Sequence, residues 1–265
     1  MLNIQRSIPI PRISLEKLIN YILSIGENPG IDCSTLKDRG GLDIGKGRGD
    51  ITRFFQRIGG VVEVYGGDCN IRLTDTGNML YRALNRDLTL SKMLFHLILY
   101  RELPHYRLLI NLISEEGPTS VTELHRLINQ KMRELSPTAW LNEVAFKAII
   151  GLAVDLGVVE ITNGGEVSIR YTASISECIR KAMAPIGSQK VLRLDDLDNC
   201  IKQLLGGVLD IKQPLINNLD GCVEPIIAPG PLGPKSTYFK ILNEDCVVKQ
   251  IVNTILSKSV FNDNH

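Results

Sequence analysis

Apolar positions along this chain keep two different rhythms. Leu18, Ile19, Ile22 and Leu23 recur at helical spacing, with Ser14 placed to cap the helix they predict. A short second helix is expected after Asp32, stopping at Gly40-Gly41. A third is expected over about 50–58, where Ile51, Phe54, Phe55 and Ile58 fall at i, i+3, i+4 and i+7 and form one stripe. The rhythm then changes. Two β-branched-rich runs flank Gly66-Gly67, which predicts a hairpin because glycine reaches the positive φ of a tight turn. The stretch "DTGNMLYRAL" returns to helix.

The hairpin has a near copy downstream. "VVEVYGGDCNIRLT" (61–74) aligns with "VVEITNGGEVSIRYT" (158–172), and with one gap eight of fourteen columns are identical. The parts before the second copy keep the same order. A helix is expected around Tyr106–Glu115, and another at "SVTE", where Ser120 and Glu123 have capping-box spacing. A long third helix is expected from "SPTAW", with Pro137 at its first position, then the hairpin and a helix at "ISECIRKAM". Between the copies, "LTLSKMLFHLILYRELPHY" predicts a packed connector or dimerisation helix, with His96 a core or interface residue.

Three helices feeding a two-stranded wing resemble the winged helix-turn-helix superfamily, most closely at "FFQRIGGVVEVYGGDCNIRLTDTG", where the second strand ends in Leu73, Thr74 and Gly77. The second copy has "YTAS" in place of "LTDTG". The resemblance implies a mainly α fold with small β-wings, an α+β class built of tandem winged-helix domains. The expected division is 1–88, 89–187 and a C-terminal α+β region, 188–265. In that last region "LINNLDGCVEP" can be laid on "LAVDLGVVEIT", so a worn third copy and an unrelated cap stand level, with Pro214 weighing against the copy.

Composition narrows the field. The chain has 265 residues, 44% hydrophobic and 22% charged, which suits two or three small domains of an ordinary globular protein. No apolar run reaches membrane length, and "MLNIQRSIPIPRIS" has no signal-peptide core, so the expectation is a cytoplasmic protein with no membrane partner. The six cysteines form no C-x-x-C pair and have no histidine at ligand spacing. They are therefore expected as small buried thiols in a reducing compartment, with no metal and no cofactor. Net charge is +1, but residues 1–100 carry 13 Lys/Arg against 10 Asp/Glu, with the excess centred on Lys37 to Arg57.

That asymmetry selects a candidate surface. In winged-helix DNA binders the third helix enters the major groove and the wing reaches phosphate or the minor groove. Opposite the apolar stripe of the first copy's third helix stand Asp50, Thr52, Arg53, Gln56 and Arg57; arginine and glutamine make bidentate contacts to guanine and adenine edges. The preceding "GKGRG" loop brings Lys46 and Arg48, and the wing adds Tyr65, Asn70 and Arg72. Five cations at phosphates imply a salt slope of about −4 to −5. Arg72 and Arg170 have a second reading, pairing with Glu63 and Glu160 across their hairpins. In the second copy a buried stripe of Leu141, Val144, Ala145, Ala148 and Leu152 would leave Glu143, Phe146, Lys147, Ile150 and Val154 facing outward, with the three apolar ones an interface for a second protomer or a protein partner.

No catalytic constellation stands out. The four histidines lack metalloprotease spacing, "RLDDLDN" is better read as Asp195 or Asp196 capping a helix than as a cation site, and Glu224, Lys235 and Lys240 have the wrong spacing for a nuclease set. The expectation is a non-enzymatic binder of double-stranded DNA, foremost a transcriptional regulator. Its rival is a tandem winged-helix adaptor of a chromosome-organising, transcription or defence complex.

Overall fold

The computed structural model describes residues 14–40, 51–58, 60–66, 69–86, 88–170, 175–186, 189–204, 212–226 and 238–258. These are mainly helical, with three small antiparallel sheets. The chain forms two compact units, the first ending at Arg170.

The first unit opens with α1 (Leu15–Glu27), whose start is capped by Ser14 Oγ accepting from the Lys17 amide at 3.4 Å. Its apolar face is buried through Leu15, Leu18, Tyr21, Ile22 and Ile25. A two-residue strand β1 (Ile31–Asp32) leads into α2 (Cys33–Gly40). Asp32 caps α2, since its Oδ1 accepts from the amides of Ser34 at 3.0 Å and Thr35 at 2.9 Å. Helix α3 (Ile51–Arg57) buries Ile51, Phe54 and Phe55 and passes through Ile58 and Gly60 into strands β2 (Val62–Tyr65) and β3 (Asn70–Leu73). Strand β3 pairs on one side with β2 and on the other with β1, giving the order β1-β3-β2.

Thr74 then starts α4 (Asp75–Arg86) by accepting the Gly77 amide at 3.2 Å on Oγ1. The same hydroxyl donates to the Gly60 and Val61 carbonyls, and the Val61 carbonyl lies where a Gly77 side chain would be. This geometry accounts for the "LT-x-x-G" sequence: the threonine closes hairpin onto helix, and the glycine leaves room for the closure. An aromatic stack of Tyr21 on Phe55 (5.5 Å) and Phe55 on Phe95 (5.8 Å) joins this copy to α5 (Leu88–Glu102).

Helix α5 is the expected packed connector. His96 is fully buried, with Nδ1 2.8 Å from the Tyr106 hydroxyl of α6 (Pro104–Glu116). Buried Arg107 donates through Nε to the Tyr100 carbonyl at 2.8 Å and through Nη2 to that of Arg101 at 2.6 Å, so one guanidinium closes the C-terminus of α5. The second copy continues with β4 (Thr119–Ser120), α7 (Val121–Leu135), α8 (Glu143–Asp155), β5 (Val159–Ile161) and β6 (Glu166–Ile169). Ser120 caps α7 as expected, accepting from the Glu123 amide at 3.2 Å. The sheet order, β4-β6-β5, reproduces that of the first copy.

Two expectations for this copy are corrected. Helix α8 does not begin at "SPTAW": residues 136–142 form a loop, stapled to α7 by Asn129, and Asn142 is the cap, accepting from the Ala145 amide at 2.7 Å. Arg170 does not face Glu160. The second hairpin closes between Thr162 and Glu166, tighter than the first, so the register slips by two and Ser168 stands opposite Glu160.

The second unit begins with α9 (Ile175–Lys181), which is tied by the Cys178–Cys200 disulfide to α10 (Leu194–Leu204). The expected boundary at 187/188 therefore moves upstream: "ISECIRKAM" is the first helix of the C-terminal unit and not the last of the second copy. A hairpin β7 (Met183–Ile186) and β8 (Gln189–Arg193) precedes α10, and α11 (Lys212–Asn218), β9 (Val223–Ile226), β10 (Tyr238–Ile241) and α12 (Glu244–Lys258) follow. Within the sheet β7-β8-β10-β9, the last three strands repeat the order of the other two sheets. Helix, short strand, helix, helix, hairpin and helix thus recur here, with β7 as an extra outer strand. Pro214 is no obstacle, because it lies in the first turn of α11, where amides lack helical partners anyway.

All six cysteines are paired, as Cys33–Cys69, Cys178–Cys200 and Cys222–Cys246. The expectation of unpaired thiols fails: spacing along a sequence says nothing about which cysteines a fold brings together. Among the described residues, no helix is long and apolar enough to cross a membrane.

Candidate nucleic-acid interface

Helix α3 turns Phe54, Phe55 and Ile51 inward, and Arg53, Gln56 and Arg57 consequently stand exposed on the opposite side. Thr52 does not join them. It is buried, and its hydroxyl shares a 2.6 Å hydrogen bond with that of Tyr21, itself fully enclosed. A buried phenol needs a polar partner, and Thr52 supplies it. Lys46 and Arg48 lie outside the described residues.

The hairpin follows α3 directly, with the Val61 amide donating to the Phe55 carbonyl at 2.8 Å. Tyr65 is exposed and Asn70 half-buried at its far end. Arg72 is exposed and lies over the Tyr65 ring, 5.0 Å from the centroid, while it is ion-paired with Glu63 directly across the ladder. Of its two expected roles the cross-strand pair is therefore present. Such an exposed pair contributes little stability and can exchange its carboxylate for another anion. The Cys33–Cys69 disulfide and the bond from the Cys33 amide to the Cys69 carbonyl (3.0 Å) hold the hairpin turn against the start of α2. Asp32 there is held well below the usual carboxylate range, first by the hydroxyl hydrogen bonds of Ser34 and Thr35. It stays ionised at the positive end of α2.

The second copy presents a different surface. Phe146 and Ile150 are buried, not outward: Phe146 stacks on His125 at 4.6 Å, and Val154 is half-buried. The solvent side of α8 carries Glu143 and Lys147, as expected, together with Asp155 and with Val144, which was expected to be buried. Its sequence is apolar nearly all round, so apolar spacing cannot orient it. The polar residues at 143, 147 and 155 mark the side that faces solvent. Trp140, 56% exposed in the loop before α8, lines an open groove of about 960 Å³ with Arg126, Asn129, Gln130 and Arg133 of α7, and Val144 in the first turn of α8 is also exposed. Leu135 and Ile161 are exposed in the same copy.

The remaining candidate chemistry resolves into structure. Asp195 pairs with Lys212, and Asp196 with Arg193 at 3.1 Å, in the first turn of α10. Glu224 and Lys240 face each other across β9 and β10 at 3.6 Å, and Lys235 lies outside the described residues. Among the described residues no group of three or more histidine, cysteine, aspartate or glutamate side chains could hold a metal ion. No protein-family model matches this chain, and no curated protein or solved structure is detectably similar to it.

Proposed function

We propose that this chain is a tandem winged-helix protein that binds double-stranded DNA through α3 and the β2–β3 hairpin of its first copy, and that it serves transcriptional regulation without catalysing a reaction. One observation carries the reading. A short helix whose apolar face is locked into an aromatic core exposes Arg53, Gln56 and Arg57 and is tied, through the Val61 amide on the Phe55 carbonyl, to a hairpin bearing Tyr65 and Arg72. Arginine and glutamine read base edges, and the hairpin cation holds phosphate. With Arg72 shared with Glu63, Arg53 and Arg57 together contribute about −2 to the salt slope.

The test is a titration of random-sequence duplex at two salt concentrations, wild type against Arg53→Ala/Arg57→Ala. The variant should bind more weakly, with the slope reduced by about 2. Unchanged binding and slope would remove α3 from the interface.

A specific observation favours a second reading for the second copy alone. Trp140, Val144, Leu135 and Ile161 are exposed there, and the charged groups near them are mutually neutralised: Arg126 with Glu123, Lys131 with Glu134 and Lys147 with Glu143. Arg133 of the groove adds one further positive charge, and aromatic, aliphatic and arginine side chains at this low local charge suit a protein contact better than a polyanion. In this reading the second copy docks a second protomer or another protein, as an adaptor would.

A further inference from the structure

The three disulfides differ in their surroundings. Cys178 and Cys200 are both buried, and Cys222 is buried while its partner Cys246 is half-buried. Cys33 and Cys69 are both half-buried, as Cys246 is, so this is the one pair in which neither cysteine is fully buried. It is also the pair at the proposed interface, joining the first residue of α2 to the turn between β2 and β3. Cys69 has φ 57, a left-handed conformation that non-glycine residues disfavour. The bond and the short β1–β3 ladder, Ile31↔Ile71 and Asp32↔Asn70, hold it there.

We propose that Cys33–Cys69 is a redox latch on DNA binding, a reading that rests on the duplex-binding function above. Closed, it presents Tyr65, Asn70 and Arg72 in one fixed hairpin. Opened by a small dithiol, it frees the turn, and the hairpin must then be ordered each time DNA binds. The chemistry balances. One reductant thiolate attacks a latch sulfur, forming a mixed disulfide and releasing the other cysteine as a thiolate that takes a proton. The second reductant thiol then attacks its own mixed disulfide, releasing the second cysteine thiol and leaving the reductant as a cyclic disulfide. Two electrons and two protons pass from the dithiol to the protein. Ordering three side chains that were previously fixed weakens binding by about tenfold or more.

The experiment uses the full chain, random-sequence duplex DNA and graded dithiothreitol. A parallel aliquot is alkylated and mapped by mass spectrometry to show which cysteines have opened. Cys33 and Cys69 should open first, and duplex affinity should fall about tenfold in step. Cys33→Ser/Cys69→Ser should bind like the reduced protein, and Cys178→Ser/Cys200→Ser like the oxidised one. Undiminished affinity once Cys33 and Cys69 are alkylated, or opening of Cys178–Cys200 before Cys33–Cys69, would overturn the latch alone. Failure of the oxidised protein to bind duplex at any salt would overturn the duplex reading and the latch together. Titrating reduced wild type keeps the test decisive if a serine variant does not fold.

Discussion

Replacing Gly77 by alanine adds one methyl group in the first turn of α4. Built on the existing backbone, that methyl lies 2.1 Å from the Val61 carbonyl oxygen and 3.1 and 3.2 Å from Leu73 side-chain atoms. The carbonyl has little freedom to retreat, because it accepts the Thr74 amide at 3.1 Å and the Thr74 hydroxyl at 3.2 Å. Neighbours must part by roughly 1 Å to reach ordinary contact, and overpacking of this kind costs about 1–3 kcal/mol. Helix propensity acts in the other direction, since alanine for glycine in a helix interior stabilises by about 0.5–1 kcal/mol. The clash wins, and the net loss is about 1–2 kcal/mol. Gly151 in α8 is the internal control. A methyl there meets nothing within 4 Å, so Gly151→Ala should gain the propensity term of about 0.5–1 kcal/mol. Urea unfolding of both variants measures the two signs in one protein. A Gly77→Ala protein as stable as wild type would refute the close hairpin-to-helix junction, and with it the explanation of "LT-x-x-G".

Arg107→Met keeps much of the side-chain volume but strips donors from the Tyr100 and Arg101 carbonyls, and should cost about 3 kcal/mol in the same assay. Asp32 has a folded pKa below its unfolded one, so its contribution is complete above the ordinary carboxylate range and is lost as pH falls through and below that range. The stability gap between wild type and Asp32→Asn, followed by urea unfolding from pH 7 to pH 2, should therefore close on acidification, and a gap that widens would contradict the cap. Phe146→Ala should destabilise by about 3–5 kcal/mol as a core deletion, whereas Trp140→Ala should change stability little and act on association, read by analytical ultracentrifugation.

The sequence was most informative where polarity and periodicity agreed. The first copy could be read almost element by element, because the stripe Ile51, Phe54, Phe55 and Ile58 has cations and glutamine on its far side. Ser14 and Ser120 cap the helices expected of them. In α8 the apolar residues run round the whole circumference, and only the sparse polar line at 143, 147 and 155 marks the solvent side. Thr52 was misplaced because its burial depends on Tyr21, a hydroxyl thirty-one positions away. The register of the second hairpin escaped because aligned identity is blind to a tighter turn. Disulfide pairing is a property of the folded chain, and no local pattern near Cys33 or Cys69 announces it. The likeness of the C-terminal unit's element order to that of the first copy emerges only from its strand pairing, β8 on β10 on β9, since few of its residues match.

Hydrogen exchange of the oxidised protein, alone and with duplex DNA, shows which copy DNA covers. Exchange should slow at Ile51–Arg57 and along Tyr65 to Arg72, with α7 and α8 unaffected by DNA. Protection centred on Trp140 and α8, or none in the first copy at a DNA concentration that saturates binding, would contradict the proposed interface.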